Sequence, residues 1–264
     1  MADTPRQRVV LPGLKSRLQT RPALFGPILF ELATPGLAVT LADAGFDFLF
    51  FDLEHATLDS SSVARTILAG WQAGLGSVVK LADLERSSVQ RYLDYGAMGI
   101  QVPHVESAEE AHNLVRWSRY PPDGARGQVF GVGNTAYRDV DHESYGAEAN
   151  REIMLLPMIE TRRGVERARE ILDVEGLDAV FIGTGDLSSS YGVPGQMTHP
   201  IVVDAAQRVI DLALARDLFV AINAEHAEAA RGWMDRGARI IAYSSDLGMI
   251  RGQARAMLEP FDRR

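Results

Sequence analysis

Three ionisable residues close one apolar run: residues 46–54 read FDFLFFDLE, and Asp52, Glu54 and His55 stand at its end. His55 follows a glutamate and lies three residues after an aspartate. One face can therefore hold an imidazole whose tautomer and basicity a carboxylate sets, as a general base requires. A histidine capping the next helix is the competing reading. Glu160 and Asp186 also terminate apolar runs, LLPMIE and VFIGTGD. A carboxylate so placed either caps the following helix or ligates a hard cation. For a lone aspartate the cap is favoured. The pair, in a chain with no cysteine and no His-rich cluster, favours oxygen-ligated Mg2+ or Mn2+. Lys80 sits in a third run, SVVKL, and is one of two lysines against 25 arginines, so its type calls for a reason.

To aim such groups at one place, the chain must alternate β-rich runs with helical stretches, and it does so eight times. Strands are expected at residues 23–31, 46–54, 77–81, 98–105, 153–160, 179–186, 219–224 and 239–245. The first helix has Thr34 as N-cap, Pro35 at its first position and Gly45 as its stop. Further helices are expected near residues 59–72 and 87–95, and Ser107 to Glu110 form a capping box. Eight βα units without a linker predict an α/β fold, a single (β/α)8 TIM barrel over residues 1–264. An open doubly wound sheet would carry G-x-G-x-x-G after its first strand, where this chain has ELATPGL. Barrel enzymes carry their chemistry at the C-terminal ends of the strands. There stand Asp52, Glu54 and His55, then Lys80, then Pro103 and His104, then Glu160 and Asp186. Residues 121–151 are too long for an ordinary connection and are expected as a loop over the active site.

A net charge of −8 offers no positive field to phosphate backbones or anionic lipids, so neither nucleic acid nor membrane is an expected partner. The absence of cysteine removes disulfides, thiolate metal sites and Cys nucleophiles. The opening MADTPRQRVVLPGLKSRL has no apolar run of signal-peptide type, and a cytoplasmic protein is expected.

The segments FFDLEHA, YPPDGARG, LLPMIET and VEGLDAVFIGTGDLSSSYG, in that order, resemble the HpcH/HpaI family of metal-dependent 2-oxoacid aldolases, over residues 25–249. The resemblance implies one divalent cation (Mg2+, Mn2+ or Co2+) on Glu160 and Asp186. That cation would chelate the carboxylate and keto oxygen of pyruvate and stabilise its enolate as a Lewis acid. His55 matches the catalytic histidine and Asp52 its supporting acid, with Glu54 between them in the Asp-x-Glu-His motif. The backbone N–H groups of Gly185 and Asp186 match a turn that binds the substrate carboxylate. Thr184 and Gly185 replace a common Pro-Ala beside the substrate's C3 substituent. Two departures are heavier: Lys80 stands for the catalytic arginine, and Met158 for a frequent glutamine. The resemblance also implies a homohexamer, a trimer of dimers that exchange C-terminal helices, for which the apolar tail at residues 249–261 is suited.

The activity so implied is cleavage or formation of 4-hydroxy-2-oxoacids, with small oxoacids and aldehydes as partners. Alternatives are a condensing enzyme making citrate-like products, a Schiff-base aldolase using Lys80, and a non-catalytic barrel that senses oxoacids.

Overall fold

The computed structural model describes residues 13–261, so the reading of the first twelve residues lies outside the described part. Eight parallel strands pair in sequence order and close on themselves: β1 (Leu24–Leu29), β2 (Phe48–Asp52), β3 (Gly76–Lys80), β4 (Gly99–Val102), β5 (Met154–Ile159), β6 (Ala179–Ile182), β7 (Phe219–Ala224) and β8 (Ile240–Ser245). The first half of the helical layer is α1 (Leu14–Leu18), α2 (Pro35–Asp43), α3 (Ser60–Gln72), α4 (Arg86–Asp94), α5 (Ala108–Ser118) and α6 (His142–Glu152). The second half is α7 (Arg162–Glu166), α8 (Ala168–Leu172), α9 (Thr184–Ser190), α10 (Pro200–Leu214), α11 (Ala227–Met234) and α12 (Asp246–Leu258). This is the (β/α)8 barrel expected from the pattern.

The period of two along each strand divides the core and aims the polar residues. Phe48 and Phe50 join Val78, Leu156, Phe181, Ala221 and Ala242 inside the barrel, while Leu49 and Phe51 pack outward under the helices. Two residues beyond Phe50 comes Asp52, two beyond Val78 comes Lys80, and two beyond Met158 comes Glu160. The parity that fills the barrel therefore carries these three groups into its mouth. Helix α1 plugs the other end with Leu14 and Leu18, and Gly76 makes room for it, since a Cβ there would lie 2.6 Å from Leu14 Cδ2. At the mouth, buried Asp246 at the start of α12 accepts the N–H groups of Phe30, Glu31 and Leu32 at 2.9–3.1 Å. The first βα turn is thereby tied to the last helix.

The stretch 121–151 is not a loop over the mouth of its own barrel. It lies between α5 and β5, and an αβ connection must return to the N-terminal ends of the strands. Its last third is α6, whose Glu152 carboxylate accepts from Gly13 N at 2.7 Å and Ser16 Oγ at 2.8 Å, beside the plug helix. The Tyr145 hydroxyl donates to Asn134 O at 2.7 Å, and Gly133 rests on the carbonyls of Asp94 and Tyr95.

Candidate active site

The local competitors to chemistry fail in turn. Helix α7 is capped by Thr161, whose hydroxyl accepts from Gly164 N, so Glu160 is released from that task. Helix α3 is capped by Asp59, so His55 is not its cap. Strand β6 ends at Ile182 rather than at Asp186, because the backbone turns at Gly183 and α9 begins at Thr184. Asp186 thus rides in the first turn of a helix whose N-cap, Gly183, offers no side chain.

Around the mouth, Lys80 Nζ lies 2.6 Å from Glu54 Oε2 and 3.3 Å from Asp52 Oδ2. Asp52 also accepts the main-chain N–H groups of Glu54 (3.0 Å) and His55 (2.9 Å) through Oδ1, and so shapes the turn that presents them. The carboxylate at the imidazole itself is Glu54, with Oε2 3.3 Å from His55 Nε2. Asp52 supports His55 through the backbone and not through the ring. The other Glu54 oxygen lies 3.2 Å from His104 Nε2, and His104 reaches on to Glu160: its N–H donates to Oε1 at 2.8 Å and Nδ1 lies at 3.3 Å. His104 stood at a strand end in the sequence, but nothing in its neighbours signalled that it would bridge two carboxylates.

Glu160 is 1% exposed, and its Oε2 has no hydrogen-bond partner among the described residues. Burial pushes its carboxyl up to about 7, with the charge of Asp186 adding to the rise and the His104 N–H, His104 and Lys80 opposing it. Lys80 moves the other way from a nucleophilic lysine. Burial works against its charge, but the bond to Glu54 and the charges of Asp52, Glu54 and Glu160 outweigh it and hold the ammonium above the ordinary lysine range. Three carboxylates thus share one buried ammonium, an imbalance that a proton or a cation must correct.

Met158 lies beneath this cluster, its sulfur 2.8 Å from Nε2 of fully buried Gln101 on β4. A buried amide on the neighbouring strand thus stands against position 158. Gly183 permits the close approach of β6, since a Cβ there would sit 2.6 Å from Glu160 Oε2. Gly185 and Asp186 are exposed at the helix start, where first-turn N–H groups have no intrahelical acceptor. The Thr184 hydroxyl donates to Asn223 Oδ1 at 3.4 Å and borders a cavity of about 250 Å³ that Met197, His226 and Trp233 also line.

Among the described residues no three His, Cys, Asp or Glu side chains converge as a ready metal site. Glu160 and Asp186 are nevertheless suited to a hard cation that takes its remaining ligands from water or substrate, because Glu160 already has a buried carboxylate oxygen without a partner.

The family model described as HpcH/HpaI aldolase/citrate lyase matches residues 28–252. The chain belongs to this family. It is 35% identical over 244 residues to a hydroxypyruvate/pyruvate aldolase of Delftia acidovorans, covering 92% of this chain and 90% of that one. It is 34% identical over 230 residues to a 5-keto-4-deoxy-D-glucarate aldolase of Escherichia coli, covering 87% and 89%. The crystal structure of an HpcH/HpaI aldolase from Desulfitobacterium hafniense superposes with a TM-score of 0.90 at 30% identity, over 96% and 97% of the two chains. This member of the HpcH/HpaI family is an enzyme of the carbon–carbon lyase type.

Proposed function

We propose that this enzyme cleaves 4-hydroxy-2-oxoacids to pyruvate or a substituted pyruvate and an aldehyde, and forms them in reverse, using a divalent cation held by Glu160 and Asp186. The observation that carries the reading is the bare, buried Oε2 of Glu160 within a cluster of excess negative charge. A bound Mg2+, Mn2+ or Co2+ would supply Lewis-acid stabilisation of the charge that develops on the keto oxygen.

In retro-aldol cleavage the C4 hydroxyl loses its proton, the C3–C4 bond breaks, and its electrons pass into the enolate, which then takes a proton at C3. His55, half-exposed at the mouth, is the group that moves these protons, and Glu54 beside Nε2 sets its tautomer. Lys80 brings a fixed positive charge that favours the enolate oxygen. The N–H groups of Gly185 and Asp186 receive the oxoacid's carboxylate. Met158 forms an apolar floor, and Thr184 opens toward the cavity that gives room for a longer substituent. A Schiff base at Lys80 is disfavoured, because three carboxylates keep its amine protonated.

The test is pyruvate release from a panel of 4-hydroxy-2-oxoacids, each with and without EDTA. Activity is expected to vanish in EDTA and return with Mg2+ or Mn2+. Full activity in EDTA would overturn the cation reading.

The proposal extends to assembly and place. Ile250, Met257, Leu258 and Phe261 are exposed along and just beyond α12, an apolar face suited to packing against another copy, and the family resemblance extends this to a homohexamer, a trimer of dimers. Sedimentation is expected to show a hexamer, and a monomer at micromolar concentration would refute it. A cytoplasmic location is part of the same reading. Among the described residues no helix is long and apolar enough to cross a membrane.

A further inference from the structure

His104 holds a left-handed backbone, with φ +53, a conformation uncommon for a residue with a side chain but one that histidine adopts more readily than most. It follows Pro103 at the end of β4, next to the strand that carries Glu160. The turn brings two parts of one residue onto one oxygen: the main-chain N–H lies 2.8 Å from Glu160 Oε1, and ring Nδ1 lies 3.3 Å from it. The far side of the ring, Nε2, is 3.2 Å from Glu54 Oε1, which in turn is anchored through its second oxygen to Lys80. The imidazole is thus wedged between two carboxylates that are themselves fixed. With Oε1 engaged by the main-chain N–H, Oε2 is left buried beside Gly183 and bare.

We infer that the His104 ring is a positioning group for the cation: wedged between Glu54 and Glu160, it steadies the carboxylate whose Oε1 the main-chain N–H already occupies, so that Oε2 stays presented as the coordinating oxygen. The inference rests on the reading that Glu160 binds a divalent cation. A group that holds a ligating carboxylate in place is typically worth about 10- to 100-fold in metal affinity.

The experiment measures Mn2+ affinity from the free-ion electron paramagnetic resonance signal, for the native protein, His104→Gly and His104→Asn. Glycine accepts φ +53 without strain and keeps the main-chain N–H, so it removes the ring alone. Asparagine also tolerates the left-handed region and places an amide where Nδ1 stood. The glycine variant is expected to bind Mn2+ about 10- to 100-fold more weakly. The asparagine variant should recover most of that loss, and the urea midpoints of all three proteins in EDTA should stay close together. A purely structural role would move the midpoint in EDTA and leave Mn2+ affinity alone. Equal Mn2+ affinity in the native and glycine proteins, or an asparagine variant no better than glycine, overturns the inference while leaving the cation reading intact. A native protein that binds no Mn2+ overturns both.

Discussion

Glu160→Gln is expected to lower the rate of oxoacid cleavage by about 10³-fold, since Lewis-acid stabilisation is worth several kcal/mol and each 1.36 kcal/mol is a factor of ten. The amide keeps the shape of the side chain and can still accept the His104 N–H through its oxygen, so the barrel should fold. Its second measurable effect is on stability in EDTA. The carboxyl is raised from 4.5 to about 7 in the folded protein, so the folded state binds the proton more tightly than the unfolded chain does. The stability this contributes is fully present below about 4.5 and is lost as the pH rises through about 7. The urea midpoint of the native protein in EDTA should therefore carry a decline between about pH 5 and pH 8 that Glu160→Gln lacks. Added Mg2+ should reverse that decline in the native protein alone. The same pH trend in both proteins would show that Glu160 is not the strained group.

The other large effect belongs to Lys80. Lys80→Ala should cost about 10²-fold or more in turnover, because it removes a positive charge aimed at the developing oxyanion. It also strands Asp52 and Glu54 without their ammonium, and an uncompensated buried charge is destabilising, so folding is checked alongside. Lys80→Arg keeps the positive charge as a guanidinium that can address both carboxylates, and should retain pyruvate chemistry or improve on it. Borohydride reduction in the presence of pyruvate tests the native protein without any substitution. An ammonium paired with Asp52 and Glu54 and held above the ordinary lysine range disfavours an imine, so the mass should be unchanged. A stable adduct on Lys80 together with full activity in EDTA would overturn the metal mechanism.

Much of the architecture was legible because strand and helix signals are local. Alternation of β-rich runs with capped helices marks eight units, and the Ser107 and Thr34 caps form as their sequences suggest, with bonds to Glu110 N and Leu37 N. The strands are shorter than the apolar runs 46–54 and 179–186, because the chain leaves the sheet at Asp52 and Ile182. The reason lies in the turns: Asp52 folds the backbone onto its own carboxylate, and Gly183 starts a helix. Length alone suggested a lid at 121–151, whereas connectivity sends every αβ segment to the opposite end of the barrel.

Part of the mouth is written in the chain itself, because the two-residue period that buries Phe48, Phe50 and Val78 inside the barrel also commits Asp52 and Lys80 to its interior. Their partners come from the folded arrangement instead. Glu54 rather than Asp52 faces the His55 ring, His104 bridges to Glu160, and Gln101 lies against Met158 from the next strand. Those pairings depend on the stagger between neighbouring strands and on closure of the barrel. These set distances between residues as far apart in sequence as Gln101 and Met158, whereas periodicity within one strand constrains only the direction in which each side chain leaves it.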